Sequence, residues 1–168
     1  MEIPLPREVA RHPMDQTPPM KPIASILLLL VAALFAGPAR AETAEEQANI
    51  AVVRAFYEAA LNQKDFAAAS RYMGDRYIQH NPNVADGPLA FKALLDFLRE
   101  KSPQSHSEIK EAFADGDRVI LHVHSVGAPG DRGSAIVDIF RLEGGKIVEH
   151  WDVVQPIPET AANGNTMF

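Results

Sequence analysis

The stretch that decides the fold is VDIFRLEGGKIVEHW, residues 137–151. Apolar and polar residues alternate on both sides of Gly144-Gly145, which predicts two strands joined by a tight turn. Asp138 falls on the strand face that also carries three apolar residues, Ile136, Phe140 and Leu142. An ionised carboxylate on an apolar face is costly unless it has a partner or a task. Asp138 is therefore the first candidate functional residue.

The rest of the chain divides into helices followed by strands. Helical spacing predicts a first helix after Thr43, which stands three residues before Glu46 in a capping-box pattern. A second helix follows Asp65, and a third begins at Pro88. The predicted strands cover 77–79, 106–114, 118–126, 134–143 and 146–155. This order predicts an α+β fold, with about three N-terminal helices packed on one face of a curved antiparallel sheet.

The N-terminus has the pattern of a secretory signal. In MKPIASILLLLVAALFAGPARA, residues 20–41, a basic start precedes a short apolar run and an Ala-x-Ala ending. This predicts cleavage after Ala41, with 1–41 as leader and signal peptide and 42–168 as the domain. The mature protein is then periplasmic or secreted, without stable membrane insertion. An uncleaved anchor and a translation start at Met20 are the alternatives.

Composition excludes several classes of function. The chain has no cysteine, so disulfides, thiolate metal sites and cysteine nucleophiles are excluded. The net charge is -6 and no block of Lys and Arg exists, so nucleic acid is not an expected partner. The sequence EGGK, residues 143–146, lacks the spacing of a phosphate-binding loop.

The turns predict which residues share Asp138's face. A two-residue turn at Gly144-Gly145 places Asp138 opposite Trp151 and Phe140 opposite Glu149. A symmetric 127–133 loop places His122 opposite Asp138, with His124 on the same face. The predicted cavity wall therefore carries Asp138, His122, His124, Glu149 and Trp151 among Phe113, Ile136 and Phe140, while His150 and Asp152 face the other side.

Three other residues are candidates for ligand contact. His80 and Asn81 stand in QHNPN, where the first strand ends. They are predicted either at the cavity mouth or as part of an Asn-Pro turn. Tyr57, on the apolar stripe of the first helix, either points its hydroxyl into the cavity or only packs in the core.

Three segments resemble the SnoaL-like polyketide cyclase family of the nuclear transport factor 2-like superfamily: YIQHNPNVADGP, DIFRLEGGKIVEHWDVVQPIP and NGNTMF. The resemblance implies a cone-shaped α+β barrel with a deep cavity, often dimeric through the sheet's other side. It also implies an Asp acting as acid and base in an aldol ring closure without metal or cofactor. Asp138 resembles that Asp, His124 the neighbouring-strand His, and His122 the polar residue two positions before it.

The residues leave several roles open. Asp138 is either a general base that removes a proton α to a carbonyl or a buried partner of His122. His124 and His122 either donate hydrogen bonds to an enolate oxygen or are satisfied core histidines. Two imidazoles and one carboxylate are a minimal metal-ligand set, so no metal is predicted. The resemblance implies that no cofactor is needed.

Three functions compete at this point. The first is an exported, cofactor-independent enzyme acting on a small hydrophobic or aromatic carbonyl compound by cyclisation, isomerisation or dehydration. The second is a non-catalytic periplasmic binding module for a small hydrophobic ligand. The third is an interaction domain whose cavity is filled by side chains. A homodimer through the outer sheet face is expected in each case.

Overall fold

The computed structural model describes residues 41–168. The predicted leader and signal peptide therefore lie outside the described residues, except for Ala41. No helix among residues 41–168 has both the length and the apolar content that a membrane span needs.

The helical half begins with the predicted capping box. Thr43 Oγ1 accepts a hydrogen bond from the Glu46 amide at 3.1 Å, and the Glu46 carboxylate accepts one from the Thr43 amide at 2.8 Å. Helix α1, Ala44–Tyr57, runs directly into a π-helical turn at Glu58–Asn62. Asp65 caps the short α2, Phe66–Ala69, which continues as a 3₁₀ turn, Ser70–Tyr72. Helix α3 covers Pro88–Lys101.

Five strands form one open sheet. They are β1 Met73–Gln79, β2 His106–Asp115, β3 Arg118–Val126, β4 Ser134–Glu143 and β5 Lys146–Pro156. The spatial order is β1-β5-β4-β3-β2. Strands β2 to β5 make the predicted antiparallel meander. Strand β1 is longer than predicted and pairs in parallel with β5 at one edge, so the sheet is mixed.

The core lies between the helices and the inner face of the sheet. The Phe56 ring of α1 stacks on Phe91 of α3 at 5.4 Å and meets Phe140 of β4 edge-on at 5.8 Å. Val119, Leu121 and Val123 of β3 are fully buried on that same face. The predicted α+β class is confirmed, with all helices against one side of the sheet.

The strand register differs from the prediction by one residue at two places. The β3–β4 ladder starts at Ser125 opposite Ser134, so Leu121 rather than His122 faces Asp138. In β5 the predicted turn pairs are present, but Val148 forms a β-bulge after Ile147. Beyond the bulge, Asp138 pairs with Asp152 and Phe140 with His150.

Each slip moves a whole strand's side chains to the opposite face, because successive residues alternate between faces. The predicted wall is therefore wrong for β3 and β5. His122, His124, Glu149 and Trp151 lie on the outer face, and so does Phe113 of β2. His150 and Asp152, predicted to face outwards, lie on the inner face with Asp138.

Candidate active site

A cavity of about 110 Å³ lies between the helices and the inner sheet face. Its wall is mostly apolar, from Phe56, Leu61, Tyr77, Val84, Phe91, Leu94, Ile136 and Phe140. A few polar side chains interrupt that wall: Tyr57, Gln79, Asn81, Asp138, His150 and Asp152. An apolar concavity with a small set of converging polar groups is the usual make-up of a small-molecule site.

Asp138 is the centre of the polar group. It is 4% exposed and sits in the middle of β4. Its Oδ1 lies 3.0 Å from His150 Nε2, and its Oδ2 accepts a hydrogen bond from the Tyr57 hydroxyl at 3.0 Å. Tyr57 is the last residue of α1 before the π-helical turn, a local distortion that is frequent at functional sites.

The hydrogen bond to Gln79 indicates which nitrogen of the His150 ring carries a proton. Gln79 Oε1 accepts the Asn81 amide at 2.9 Å and lies 2.9 Å from His150 Nδ1. A carbonyl oxygen only accepts, so Nδ1 must carry a proton. The bond between Nε2 and Asp138 then needs one further proton, either on the imidazole or on the carboxyl. Asp138 and His150 therefore share one proton, and the pair carries no net charge in either form.

A second carboxylate faces the same cavity. Asp152 is half-buried on β5, and its Oδ2 accepts a hydrogen bond from Asn81 Nδ2 at 2.6 Å. The Asn81 amide is oriented by its own loop, because its Oδ1 accepts the Asn83 amide at 2.8 Å. None of the described residues that line the cavity is Lys or Arg. With the Asp138–His150 pair neutral, an ionised Asp152 gives the cavity a net negative charge.

Asp138, His150 and Asp152 could also hold a cation. Each offers one ligand atom, and these atoms lie within 4.8 Å of one another. One imidazole and two carboxylates suit a metal such as Zn²⁺. A metal bound to Nε2 would displace the proton that His150 and Asp138 share. The expectation of no metal and no cofactor stays a prediction.

The structure brings together five of the residues that the sequence places at the cavity. Tyr57, Asn81, Ile136, Asp138 and Phe140 all line it. The predicted partner of Asp138 is wrong, since His150 takes the place expected for His122. Sequence reasoning misses His150 and Asp152 because the predicted register takes no account of a bulge, and Gln79 because it predicts no pairing of β1 with β5. The sequence signal of that bulge is the adjacent apolar pair Ile147-Val148, which breaks the alternation of apolar and polar residues in β5. Both side chains are buried in the structure.

The other predicted site residues lie outside the cavity. On the outer face, the rings of His122 and His124 contact Phe168 at 5.3 and 4.7 Å between centroids. His124 Nε2 also lies 2.8 Å from the Arg132 carbonyl oxygen. His122 and His124 make these contacts because the observed register of β3 turns both side chains to the outer face of the sheet.

His80 and Trp151 form a separate group on the outer side. The His80 ring stacks on Trp151 at 4.6 Å, and its Nε2 lies 2.9 Å from the Glu149 carboxylate. The His80 hydrogen bond, together with Arg141, holds the pKa of Glu149 below its ordinary value. His80 therefore fastens the 80–87 loop to the sheet rather than contacting a ligand in the cavity.

The tyrosines of the site are held protonated. Burial first, and then the nearby Asp138 carboxylate, raise the pKa of Tyr57 well above its ordinary value of 10.0. Burial also raises the pKa of Tyr77. Tyr57 thus remains a hydrogen-bond donor to Asp138 at all physiological pH values.

The raised pKa of Tyr57 predicts a pH-dependent cost for Tyr57→Phe. Below about pH 10 the phenol is protonated in both folded and unfolded chains, and losing its bond to Asp138 should cost about 1–3 kcal/mol. Above that pH only the unfolded chain ionises, so the free energy of unfolding of the wild type falls by up to about 1.4 kcal/mol per pH unit from this residue. Urea unfolding at pH 8 and pH 11 should show the deficit of Tyr57→Phe shrinking. An equal deficit at both pH values would contradict the raised pKa.

Solved structures with the same fold have names that refer to several activities. A candidate SnoaL-like polyketide cyclase from Jannaschia sp. CCS1 is 17% identical, with a TM-score of 0.57 over 69% of this chain and 91% of that one. An epoxide hydrolase of the LEH-like type from M. tuberculosis is 20% identical, with a TM-score of 0.53 over 66% and 85%. A candidate ketosteroid isomerase from Kribbella flavida is 12% identical, with a TM-score of 0.57 over 71% and 86%. At these identities the likeness shows the fold alone.

Sequence comparison adds the family. No curated protein matches this chain. The SnoaL-like domain matches residues 53–150, a span that holds Tyr57, Gln79, Asp138 and His150. Because that match covers more than half of the sequence, the chain belongs to the SnoaL-like domain family.

Proposed function

We propose that this protein is a cofactor-independent enzyme that does acid–base chemistry on a small, uncharged carbonyl compound, with Asp138 as the base. The observation that carries the proposal is the buried Asp138 carboxyl, bonded to His150 and Tyr57 at the wall of an apolar cavity. Names of proteins with this fold include a cyclase, an isomerase and an epoxide hydrolase, so the fold leaves the reaction open.

The geometry supports removal of a proton from carbon. A carboxylate has about four lone-pair sites, and His150 and Tyr57 occupy two of them. The Asp138 oxygens therefore retain acceptor sites at the cavity wall. When a carbon-bound proton α to a carbonyl moves to Asp138, the electron pair of that bond passes to the carbonyl oxygen. Protonated His150 beside Asp138 then stabilises the negative charge of the enolate.

Return of the proton from Asp138 completes the cycle. Delivery to the same or a conjugated carbon gives exchange or isomerisation. If the enolate carbon instead attacks a second carbonyl, the resulting alkoxide takes the proton from Asp138 and becomes the aldol product. Both outcomes regenerate the Asp138 carboxylate and consume no cofactor. Tyr57, which keeps its proton, holds the carboxylate in place throughout.

Cavity size and charge define the substrate class. A cavity of about 110 Å³ is smaller than the roughly 300–1,000 Å³ of pockets for drug-sized ligands. It approaches the engineered cavity of about 150 Å³ that takes benzene. The reacting part of the substrate is therefore small. Carboxylate and phosphate groups are disfavoured there, because the cavity holds a second carboxylate, Asp152, and no Lys or Arg is among its described lining residues, while the Asp138–His150 pair is neutral overall.

The competing functions make different demands on this cavity. An interaction domain was predicted to have its cavity filled by side chains, and the open volume beside Asp138 argues against that function. A binding module needs the apolar wall, but holding a ligand does not require Asp138 and His150 to share a proton in that wall. The buried Asp138–His150 pair therefore favours the enzyme.

Asp138→Asn should abolish proton transfer while preserving the fold. The probe is butan-2-one in D₂O, whose α-protons exchange for deuterium when a base removes them, followed by proton NMR. We expect wild type to accelerate exchange, and Asp138→Asn to lose at least about 100-fold of that acceleration. Asp75→Asn, an exposed carboxylate on β1 outside the cavity, is the matched control and should keep wild-type exchange.

The same experiment distinguishes the binding module. If wild type binds butan-2-one by ligand-observed NMR without accelerating exchange, the enzyme proposal fails and the binding module leads. If Asp138→Asn retains exchange, Asp138 is not the base.

We also infer that the protein is exported and acts after cleavage at Ala41. The basic start, the short apolar run and the Ala-x-Ala ending of residues 20–41 support this. Mass spectrometry of the protein recovered from the periplasm of a bacterial host should give a chain that begins at Glu42. Recovery of the intact apolar run, in a membrane fraction, would contradict cleavage and favour an anchor.

A homodimer through the outer sheet face is the third element of the proposal. Phe113, Val137 and Val153 project from that face and are 52%, 41% and 71% exposed. Val137 and Val153 are direct neighbours across β4 and β5, so they form one continuous patch. Apolar patches of this kind commonly mark an interface in soluble proteins.

Val153→Glu should convert this dimer to a monomer, because the substitution places a charge in the apolar patch. Light scattering at micromolar concentration should give a dimer mass for wild type and a monomer mass for Val153→Glu. Leu89→Glu is the control, because Leu89 lies on α3 and is 79% exposed. This variant gains the same charge and should remain a dimer. A wild-type monomer under these conditions would refute the dimer.

A further inference from the structure

A second, larger cavity of about 310 Å³ adjoins the active-site cavity along β4. We call it the serine pocket. It lies where β2 and β4 begin and β3 and β5 end, next to the C-terminus of α3. Its lining comprises Leu61, Leu98, Ser102, Ser105, Ser107, Ser125, Val126, Gly127, Gly133, Ser134, Ile136 and Val154.

The lining of the serine pocket defines the chemistry it can recognise. Five of its residues are serines, and hydroxyl groups both donate and accept hydrogen bonds. No Asp, Glu, His, Lys or Arg is among the described residues that line it. The remaining side chains are aliphatic. This combination suits an uncharged group that carries hydroxyl, ether or carbonyl oxygens on an apolar frame.

The backbone keeps this pocket in shape. Gly133 has a φ of +75°, and a Cβ added there would lie 2.0 Å from the Ser125 carbonyl oxygen. Only glycine permits so close an approach between the ends of β3 and β4. The Ser107 and Ser125 hydroxyls are bonded to each other at 3.0 Å, which fixes that part of the wall.

The two cavities meet at two side chains. Leu61 and Ile136 line both, and both are only partly buried. Ile136 lies between Asp138 and Ser134 on the inner face of β4. At a rise of about 3.3 Å per residue, the Cα atoms of Asp138 and Ser134 are about 13 Å apart. The two cavities are therefore adjacent, and a single extended ligand that passed between Leu61 and Ile136 would occupy both.

We propose that the serine pocket is a second subsite, which binds an uncharged, oxygen-bearing tail of a substrate whose small carbonyl head lies against Asp138. The placement of the head rests on the proposed function. The subsite itself is tested by binding and does not require turnover.

Three ketones with a common head test the subsite. Butan-2-one has the head alone, 4-(4-hydroxyphenyl)butan-2-one adds an uncharged hydroxyl tail, and 4-(4-carboxyphenyl)butan-2-one adds a charged tail. Dissociation constants are measured by NMR on the full folded protein. The hydroxyl-tailed ketone should bind about tenfold more tightly than butan-2-one, since its ring buries additional apolar area. The charged ketone should gain nothing over butan-2-one.

Two variants fill the serine pocket from neighbouring strands, at Ser134 of β4 and Val154 of β5. Ser134→Leu and Val154→Trp should each weaken binding of the hydroxyl-tailed ketone about tenfold and leave butan-2-one unchanged. Ser70→Leu is the control, because Ser70 lies outside both cavities and should bind all three ketones as wild type does.

The outcomes separate this inference from the proposed function. Unchanged binding of the hydroxyl-tailed ketone in both filling variants overturns the subsite, even if butan-2-one exchanges its protons. Equal loss of both ketones in both variants also overturns it, since one cavity would then serve both. Selective loss of the tailed ketone without any proton exchange supports the subsite while the enzyme proposal fails.

Discussion

One additional residue in β5 sets the chemistry of the inner sheet face. Val148 bulges out of the ladder with β4, and every residue after it changes face. Without the bulge, Glu149 and Trp151 would stand opposite Phe140 and Asp138. With it, His150 and Asp152 take those places. The imidazole that shares a proton with Asp138 is available only because the ladder is interrupted at this point.

The 79–87 segment holds these groups in position from the neighbouring strand. Gln79 sets the protonation of His150 Nδ1, and Asn81 bonds to Asp152. The segment is itself tied down, because the His80 amide donates to the His150 carbonyl oxygen at 2.9 Å and Asp86 accepts the Gln79 amide at 2.7 Å. The polar side chains of the cavity are thus supported by a second layer of hydrogen bonds, which keeps charged groups oriented inside an apolar wall.

The sequence predicted the elements well and the site only in part. Caps, turn residues and periodicity are local signals, so the boundaries at Thr43, Pro88 and Gly144-Gly145 were found from them. Asp138 is a candidate from sequence because its carboxylate falls on a strand face that otherwise carries apolar residues. Its partners depended on pairing between strands, where one bulged residue or one extra loop residue reverses a whole strand. Side-chain pattern alone placed His122 and His124 on the face of Asp138 and His150 on the other face.

The parallel pairing of β1 at the sheet edge has a consequence for how the site assembles. The meander from β2 to β5 joins strands that are neighbours in the chain, and such contacts close short loops. The Tyr57–Asp138 and Gln79–His150 bonds instead join residues 81 and 71 positions apart. Loop-closure entropy rises with that separation, so long-range contacts must be made at greater entropic cost. The geometry around Asp138 is therefore the part of the fold with the largest chain-entropy cost. A chain whose meander has formed while β1 is still undocked has the sheet but lacks the arrangement of Gln79 and His150 that the site needs.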